Sequence, residues 1–341
     1  VKAVGLHQYL PIDNEDALVD FQIDRPEPGP RDLLVAVKSI AVNPVDTKVR
    51  APKETPVTET TPKILGWDAA GEVVAVGSAV AHYQVGDQVF YAGDITRPGC
   101  NSEFQLVDER IVGRMPRTQD YAAAAALPLT SLTAWEALFE RLGISASGDD
   151  AGKSLLIIGG AGGVGSIAIQ LACTLARLKV IATASRTKSS MWIKQMGAQH
   201  VVNHRNPVDE ELQDIGIDAV DYILCLNNTD QHFPAMANAI KPQGKICTIV
   251  ENSGPLEVGL LKSKSATFVW EFMFTRSMFQ TEDMIRQQEI LNRIAQLIDS
   301  EELVTTVGDT IEPINAANLR LAHKQIESGR TIGKLVLSGW D

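Results

Sequence analysis

The stretch that most constrains this chain is Gly160-Ala161-Gly162-Gly163-Val164-Gly165, which follows the apolar run 155–159 (LLIIG) and opens a helix-prone run reaching residue 178. Such a glycine pattern is weak evidence alone, but between a strand and a helix it is strong evidence for a dinucleotide-binding turn. Gly160 allows the tight turn, Gly162 lets the backbone approach a pyrophosphate, and Gly165 permits close helix–sheet packing. Gly163 and Val164 belong to the same turn, and the N-terminus of the helix that follows offers unpaired N–H groups and a positive dipole end to the phosphates. The following chain keeps the same rhythm. Strands are expected at 154–158, 180–184, 200–203, 219–226 and 245–250, and helices at 165–178, 189–196 and 233–240. This alternation predicts an α/β fold with a parallel, doubly wound sheet.

The first 115 or so residues read differently. A β-prone run at 33–42 (LLVAVKSIAV) follows a proline-rich turn and stops before Pro44. Short glycine-bounded strands are expected at 71–77 and 86–91, and the Pro/Thr/Glu-rich segment 51–63 reads as an exposed loop. Together these predict a small, β-rich, barrel-like domain. Residues 122–142 are apolar and split by Pro128 into two helical pieces. An amphipathic helix is expected at 284–298, and a last short strand at 333–337 that can return to the first domain. The expected domains are 1–127 with 273–341, and 128–272.

With 341 residues, 42 acidic against 31 basic side chains and a net charge of −11, a globally basic nucleic-acid or membrane surface is disfavoured. No apolar run is expected to reach the roughly 20 residues of a membrane span, and no signal peptide is read at the N-terminus. The four cysteines, Cys100, Cys173, Cys225 and Cys247, form no C-x-x-C pair, which suits a reducing cytoplasm.

The charge pattern after the glycine turn selects the cofactor. A free ribose 2′-hydroxyl usually meets an Asp or Glu about 20 residues past the glycines. Residues 166–208 contain no acid at all. The end of the second strand instead carries Ser185, Arg186 and Lys188, which suit an adenosine 2′-phosphate. NADPH is therefore the expected cofactor, with Lys194 a solvated surface charge. Metal is not expected. A catalytic zinc needs three protein ligands, and Cys100, His7, His82, Asp46 and Asp68 show no ligand-like spacing in the N-terminal domain.

The chain resembles the medium-chain dehydrogenase/reductases of the quinone oxidoreductase branch, the zinc-type alcohol dehydrogenase-like proteins. The resemblance runs over essentially its whole length. It is carried by Asn43-Pro44-Val45-Asp46, by 65–73 (LGWDAAGEV), 85–89 (VGDQV) and 132–138 (LTAWEAL), and by the glycine turn. It implies a GroES-like β domain joined to a Rossmann domain, with the final segment returning to the former. Zinc-dependent members carry Cys where this chain has Asn43, Gly-His-Glu where it has Gly66-Trp67-Asp68, and a four-cysteine lobe where it has only Cys100.

In the zinc-free branch NADPH delivers hydride to a quinone or to the β-carbon of an enone or enal. By the resemblance Asn43 lines the nicotinamide and substrate cleft, Asp46 stands beside it, and Thr133 faces the nicotinamide. Leu226 and Asn227 lie on the adenosine or ribose side, Ile249 and Val250 near the nicotinamide ring. His204 stands where relatives often place a Tyr near the 2′-phosphate or the pyrophosphate, and Lys334 matches a residue near the cofactor in some relatives. Asn43 is read either as a donor to a substrate carbonyl or as a residue capping the turn at Pro44. Trp67, Trp270, Phe272 and Phe274 are read as core or interface, or as walls for a flat substrate. The β-prone segment from Ala266 to Trp270 is the expected edge strand of a homodimer. Two other readings stay open: a zinc-dependent alcohol dehydrogenase, and an NADPH-binding structural or regulatory protein that contacts RNA.

Overall fold

Parallel pairing begins at Ser154–Ile158, the apolar strand before the glycine turn. In the computed structural model, which describes residues 1–340, this strand is central to a six-stranded sheet. The spatial order is His200–Val202, Lys179–Thr183, Ser154–Ile158, Val220–Cys225, Ile240–Thr248 and Thr267–Trp270. In chain order this is 3-2-1-4-5-6, and all five ladders are parallel. The order reverses between the first and fourth strands, so the turn at the end of the first strand sits at the switch point where doubly wound sheets bind ligands. Strands buried on both faces need continuous apolar runs, and 155–158 (LLII) are all buried. Leu156, Ile158, Ile223, Phe233 and Ile246 belong to the core on one face, where Phe233 meets Phe268 edge-on at 5.5 Å.

These elements belong to a unit comprising Thr133–Met273; a second unit comprises Val1–Leu132 and the chain from Phe274 onward. The second unit is β-rich. Its seven-stranded sheet runs Val307–Ile311, Lys334–Ser338, Asp32–Val42, Ala69–Val76, Gln88–Tyr91 and Val112–Arg114, with Phe104–Asp108 also pairing to Asp32–Val42. The closing strand Lys334–Ser338 returns to this unit, antiparallel to Asp32–Val42, with Leu335 opposite Val42. Pro44 ends that strand and opens the helix Pro44–Arg50, where its missing N–H costs nothing.

Two expectations need correction. Residues 51–63 are not all loop: Thr58–Ile64 is a strand, antiparallel to Lys2–Gln8. Three β-branched threonines favour that conformation, and the pairing partner lies some fifty residues away. The expectation that no apolar run reaches a membrane span's length also changes: the expected apolar stretch is continuous over Tyr121–Arg141, and by length and composition it could cross a membrane. In the protein it is core, with 83% of its most apolar window buried. Its last part, Glu136–Arg141, widens into π-helical turns.

Candidate functional site

In the central unit the site begins at the glycine turn. Gly162 precedes the helix Gly163–Thr174 in extended geometry, so the first N–H groups of that helix point past it. A Cβ built on Gly162 would meet only Gly159 O at 3.8 Å, which leaves its outer side open to a ligand. A Cβ on Gly165 would lie 2.6 Å from the carbonyl oxygens of both Gly159 and Gly160. The first glycine leaves room for an incoming group, and the second lets helix and strand touch. A cradle of helix N–H groups with no side chain in front fits a pyrophosphate.

The next strand supplies the flank. Thr183, which the sequence reading did not single out, ends Lys179–Thr183 and accepts the Gly159 N–H through Oγ1 at 2.9 Å. The same oxygen lies 3.1 Å from His204 Nδ1. Burial, then the guanidiniums of Arg205 and Arg186, pull the His204 pKa below its ordinary value. A weak signal for Thr183 was available in its place at the end of the second strand. Ser185 and Arg186 are half-buried and Lys188 is exposed at the start of the helix Thr187–Gln195. Leu226 and Asn227 follow Val220–Cys225, and their Cβ atoms lie 3.5 and 3.6 Å from the position of a Gly159 Cβ. Ile249 and Val250 follow Ile240–Thr248, where Val250 O accepts the Thr229 hydroxyl at 2.6 Å. The structure thus gathers the glycines, Arg186, His204, Leu226 and Asn227 at the carboxyl ends of neighbouring strands. Thr133 is buried in the helix Pro128–Trp135.

In the β-rich unit a buried polar centre joins residues from opposite ends of the chain. Lys334, at the start of the closing strand, is 3% exposed. Its ammonium donates to Asp68 Oδ2 at 2.8 Å, to Val42 O at 3.3 Å, and to Asn43 Oδ1. Asp68 also accepts the Leu129 N–H through Oδ1 at 2.7 Å and the Asn43 amide at 2.9 Å. Asp46 accepts the Asn43 backbone N–H at 2.7 Å. Burial pushes the Asp46 carboxyl up to about 7. Burial also pushes Asp68 upward, against the pull of the Lys334 ammonium and the Leu129 and Asn43 donors. Trp67 is buried and packs edge-on against Phe274 at 6.2 Å, whereas Trp270 and Phe272 are exposed.

This geometry alters the expected role of Asn43. Its Nδ2 group carries two hydrogens and is already directed at Asp68 Oδ2 and at Trp67 O, 3.2 Å away, with Ala41 O at 3.4 Å. The amide has no hydrogen left for a substrate carbonyl, and its oxygen is taken by Lys334. Lys334, expected beside a cofactor, has its three hydrogens committed to buried oxygens. The Lys334–Asp68 pairing escaped the sequence reading because 266 residues separate the partners. A separate concavity of about 500 Å³ in this unit, lined by Ile64, Ile95, Phe104 and Leu106 among others, contains none of the expected site residues.

Zinc does not fit this centre. It prefers thiolate, imidazole or carboxylate ligands in a tetrahedral set. Here the Asn43 amide and the Lys334 ammonium stand around Asp68, and the Cys100 thiol donates to Asp68 O at 3.3 Å. Burial pushes that thiol well above its ordinary pKa, which keeps it protonated. Among the described residues no group of three or more His, Cys, Asp or Glu side chains could hold a metal ion.

Comparison with known proteins agrees with the architecture. A family profile described as an alcohol dehydrogenase GroES-like domain matches residues 29–123, and one described as a zinc-binding dehydrogenase matches 196–337. The chain is 42% identical over 339 residues to a zinc-type alcohol dehydrogenase-like protein of Staphylococcus epidermidis, covering 99% of both. It is 28% identical to the 2-methylene-furan-3-one reductase of Solanum lycopersicum, covering 98% of this chain and 76% of that protein. A crystal structure from Rhizobium etli CFN 42, assigned by name as a zinc-dependent alcohol dehydrogenase, superposes with a TM-score of 0.94. It is 47% identical, over 100% of this chain and 98% of the other. Two domain profiles, a matching fold and full-length identity above 40% therefore converge: the chain is a medium-chain dehydrogenase/reductase, an oxidoreductase of the zinc-type alcohol dehydrogenase-like family.

Proposed function

We propose that this protein is an NADPH-dependent reductase that transfers hydride, without zinc, to an α,β-unsaturated carbonyl or a quinone. The observation that carries the reading is the flank of the glycine turn, where Arg186 and His204 stand in a stretch of 43 residues without a single acid. A 2′-phosphate is favoured there and a bare ribose lacks its usual carboxylate partner. The enone side of the reading draws on the tomato relative, whose name is that of a furanone reductase.

NADPH, when bound, supplies the hydride. The chain's own residues bind and orient. Gly160, Gly162, Gly163 and Val164 cradle the pyrophosphate with Gly165 holding the helix close to the strand, while Ser185, Arg186 and Lys188 hold the 2′-phosphate with His204 beside them. Leu226 and Asn227 flank the adenosine ribose, and Thr133, Ile249 and Val250 belong to the nicotinamide end. Asn43 and Asp46 act as positioning residues through the buried centre, and Trp67 as an apolar wall. With Asn43 committed to that centre, solvent protonates the reduced product. The exposed backbone edge of Thr267–Trp270 is the proposed homodimer seam, since an open strand edge invites pairing. Four free cysteines suit a reducing cytoplasm.

The test is a titration with NADPH and NADH by calorimetry, followed by NADPH oxidation with a panel of enones, quinones and alcohols, with and without a strong chelator. Tighter NADPH binding and chelator-insensitive reduction of an enone or quinone are expected. Tighter NADH binding, or chelator-sensitive alcohol oxidation, would refute the reading. Tight NADPH binding without turnover on any electrophile would point to a regulatory protein instead.

A further inference from the structure

The ammonium of Lys334 sits inside a cage of three oxygens: Val42 O, Asn43 Oδ1 and Asp68 Oδ2. Two of these belong to the end of the strand Asp32–Val42 and the residue after it, and the third to the segment before Ala69–Val76. Lys334 and Asp68 are 3% and 0% exposed as side chains. A buried charge persists only when paired and fully hydrogen-bonded. Here each ammonium hydrogen has an oxygen, and Asp68 receives two further donors from Asn43 and Leu129. The other titratable groups around the pair are Asp46 and Cys100, both buried. The thiol is held protonated by its surroundings, and the Asp46 carboxylate is turned to the Asn43 backbone N–H. The oxygens are hard donors of the kind that hold small cations by charge and size.

We propose that Lys334 is the resident cation of this centre: its tethered ammonium occupies an oxygen cage that would otherwise take a free small cation, and its charge keeps a divalent metal out. The inference rests on the zinc-free part of the function proposed above, and it adds a positioning role. Without the ammonium the Asn43 amide loses the partner of its oxygen, Asp68 is left a buried charge without a counter-ion, and the junction between the strand Asp32–Val42 and the helix Pro44–Arg50 loosens. A lysine is suited to this task because its flexible stem delivers a compact charge with three donors, which a planar guanidinium would not match.

The experiment is chemical rescue, read by thermal unfolding with no substrate or NADPH present, so its outcome is independent of the catalytic reading. Lys334→Ala removes the ammonium and opens a space of its shape. The unfolding temperature is expected to fall by about 6 °C or more, the shift for breaking one side of a buried ion pair in a unit of this size. Methylammonium or ethylammonium should restore about half of that loss or more, by binding only the folded form. Tetramethylammonium at the same ionic strength, too large for the cage and without N–H donors, should not, and the wild type should not respond to any of them.

Rescue by all three salts alike, or by none, would overturn the proposal. If Lys334→Ala does not fold, the Lys334→Met and Asp68→Asn cycle decides. The double variant should be more stable than either single one, because no charge is left unpaired, whereas additive losses would overturn the assignment. Stoichiometric zinc in the wild-type protein that Asp68→Asn loses would overturn it as well.

Discussion

Two glycines of the same turn should respond to alanine in opposite ways. Gly162→Ala adds a methyl group whose nearest neighbour is 3.8 Å away, an ordinary contact, at a φ of −76° that alanine accepts readily. Alanine is a poorer N-cap than glycine by several tenths of a kcal/mol or more, but it reduces unfolded-state freedom by a similar amount. The net change in stability should be within about 0.5 kcal/mol. The methyl group stands on the side where a pyrophosphate would approach, so NADPH affinity should fall about tenfold or more. Gly165→Ala instead places its methyl group 2.6 Å from two backbone oxygens that cannot rotate away. Forced overpacking costs about 1–3 kcal/mol, less up to about 1 kcal/mol regained in helix propensity. The melting temperature should therefore drop by several degrees. Calorimetric NADPH titration and thermal unfolding of both variants separate the effects. Equal losses of stability at the two positions, or unchanged NADPH affinity in Gly162→Ala, would refute the reasoning.

Arg186→Ala should weaken NADPH binding about 10–100-fold, the worth of charge-assisted hydrogen bonds to a phosphate, and leave NADH nearly unchanged; equal losses for both nucleotides would count against a 2′-phosphate role. Asp46, pushed up to about 7 by burial, binds its proton more tightly folded than unfolded. Its contribution is therefore greatest below about pH 4 and is lost as the pH rises to about 7, by up to roughly 4 kcal/mol. Urea unfolding across that window should show a shallower decline in Asp46→Asn than in the wild type, and parallel curves would reject the assignment. Trp67→Ala should cost about 3–5 kcal/mol, because it empties a fully buried site against Phe274; a loss under about 1 kcal/mol would show that the site refills by collapse.

Much of the parallel sheet was legible because its evidence is local. The strand Ser154–Ile158 matches its expected bounds, and the apolar run, the glycines and the following helix are adjacent in the chain. The strand Thr58–Ile64 was missed because its one strand partner among the described residues is the distant Lys2–Gln8 and its own composition is polar. The acidic helix Val208–Asp214 was missed for a similar reason: it buries only Val208 and Leu212, too little for a periodic signal. The basic flank of the glycine turn could be read from charge alone. The buried centre could not. Asn43 and Asp68 look like ordinary turn residues until Lys334 arrives from the far end of the chain.

The path of the closing strand also orders events during synthesis. The unit Thr133–Met273 is a single continuous stretch and has all its strands once residue 273 has emerged. The β-rich unit starts first and is completed last, since its sheet lacks the Lys334–Ser338 and Val307–Ile311 strands until the end. Until then the 39–42 end of the strand Asp32–Val42 has an open edge, and Asp68 is a carboxylate with no cation. Pairings of such long range close slowly, and an unpaired edge is a template for aggregation. A ribosome stalled before residue 334 would thus display a nucleotide-binding unit ready to fold, preceded by a β-sheet still waiting for its closing strand.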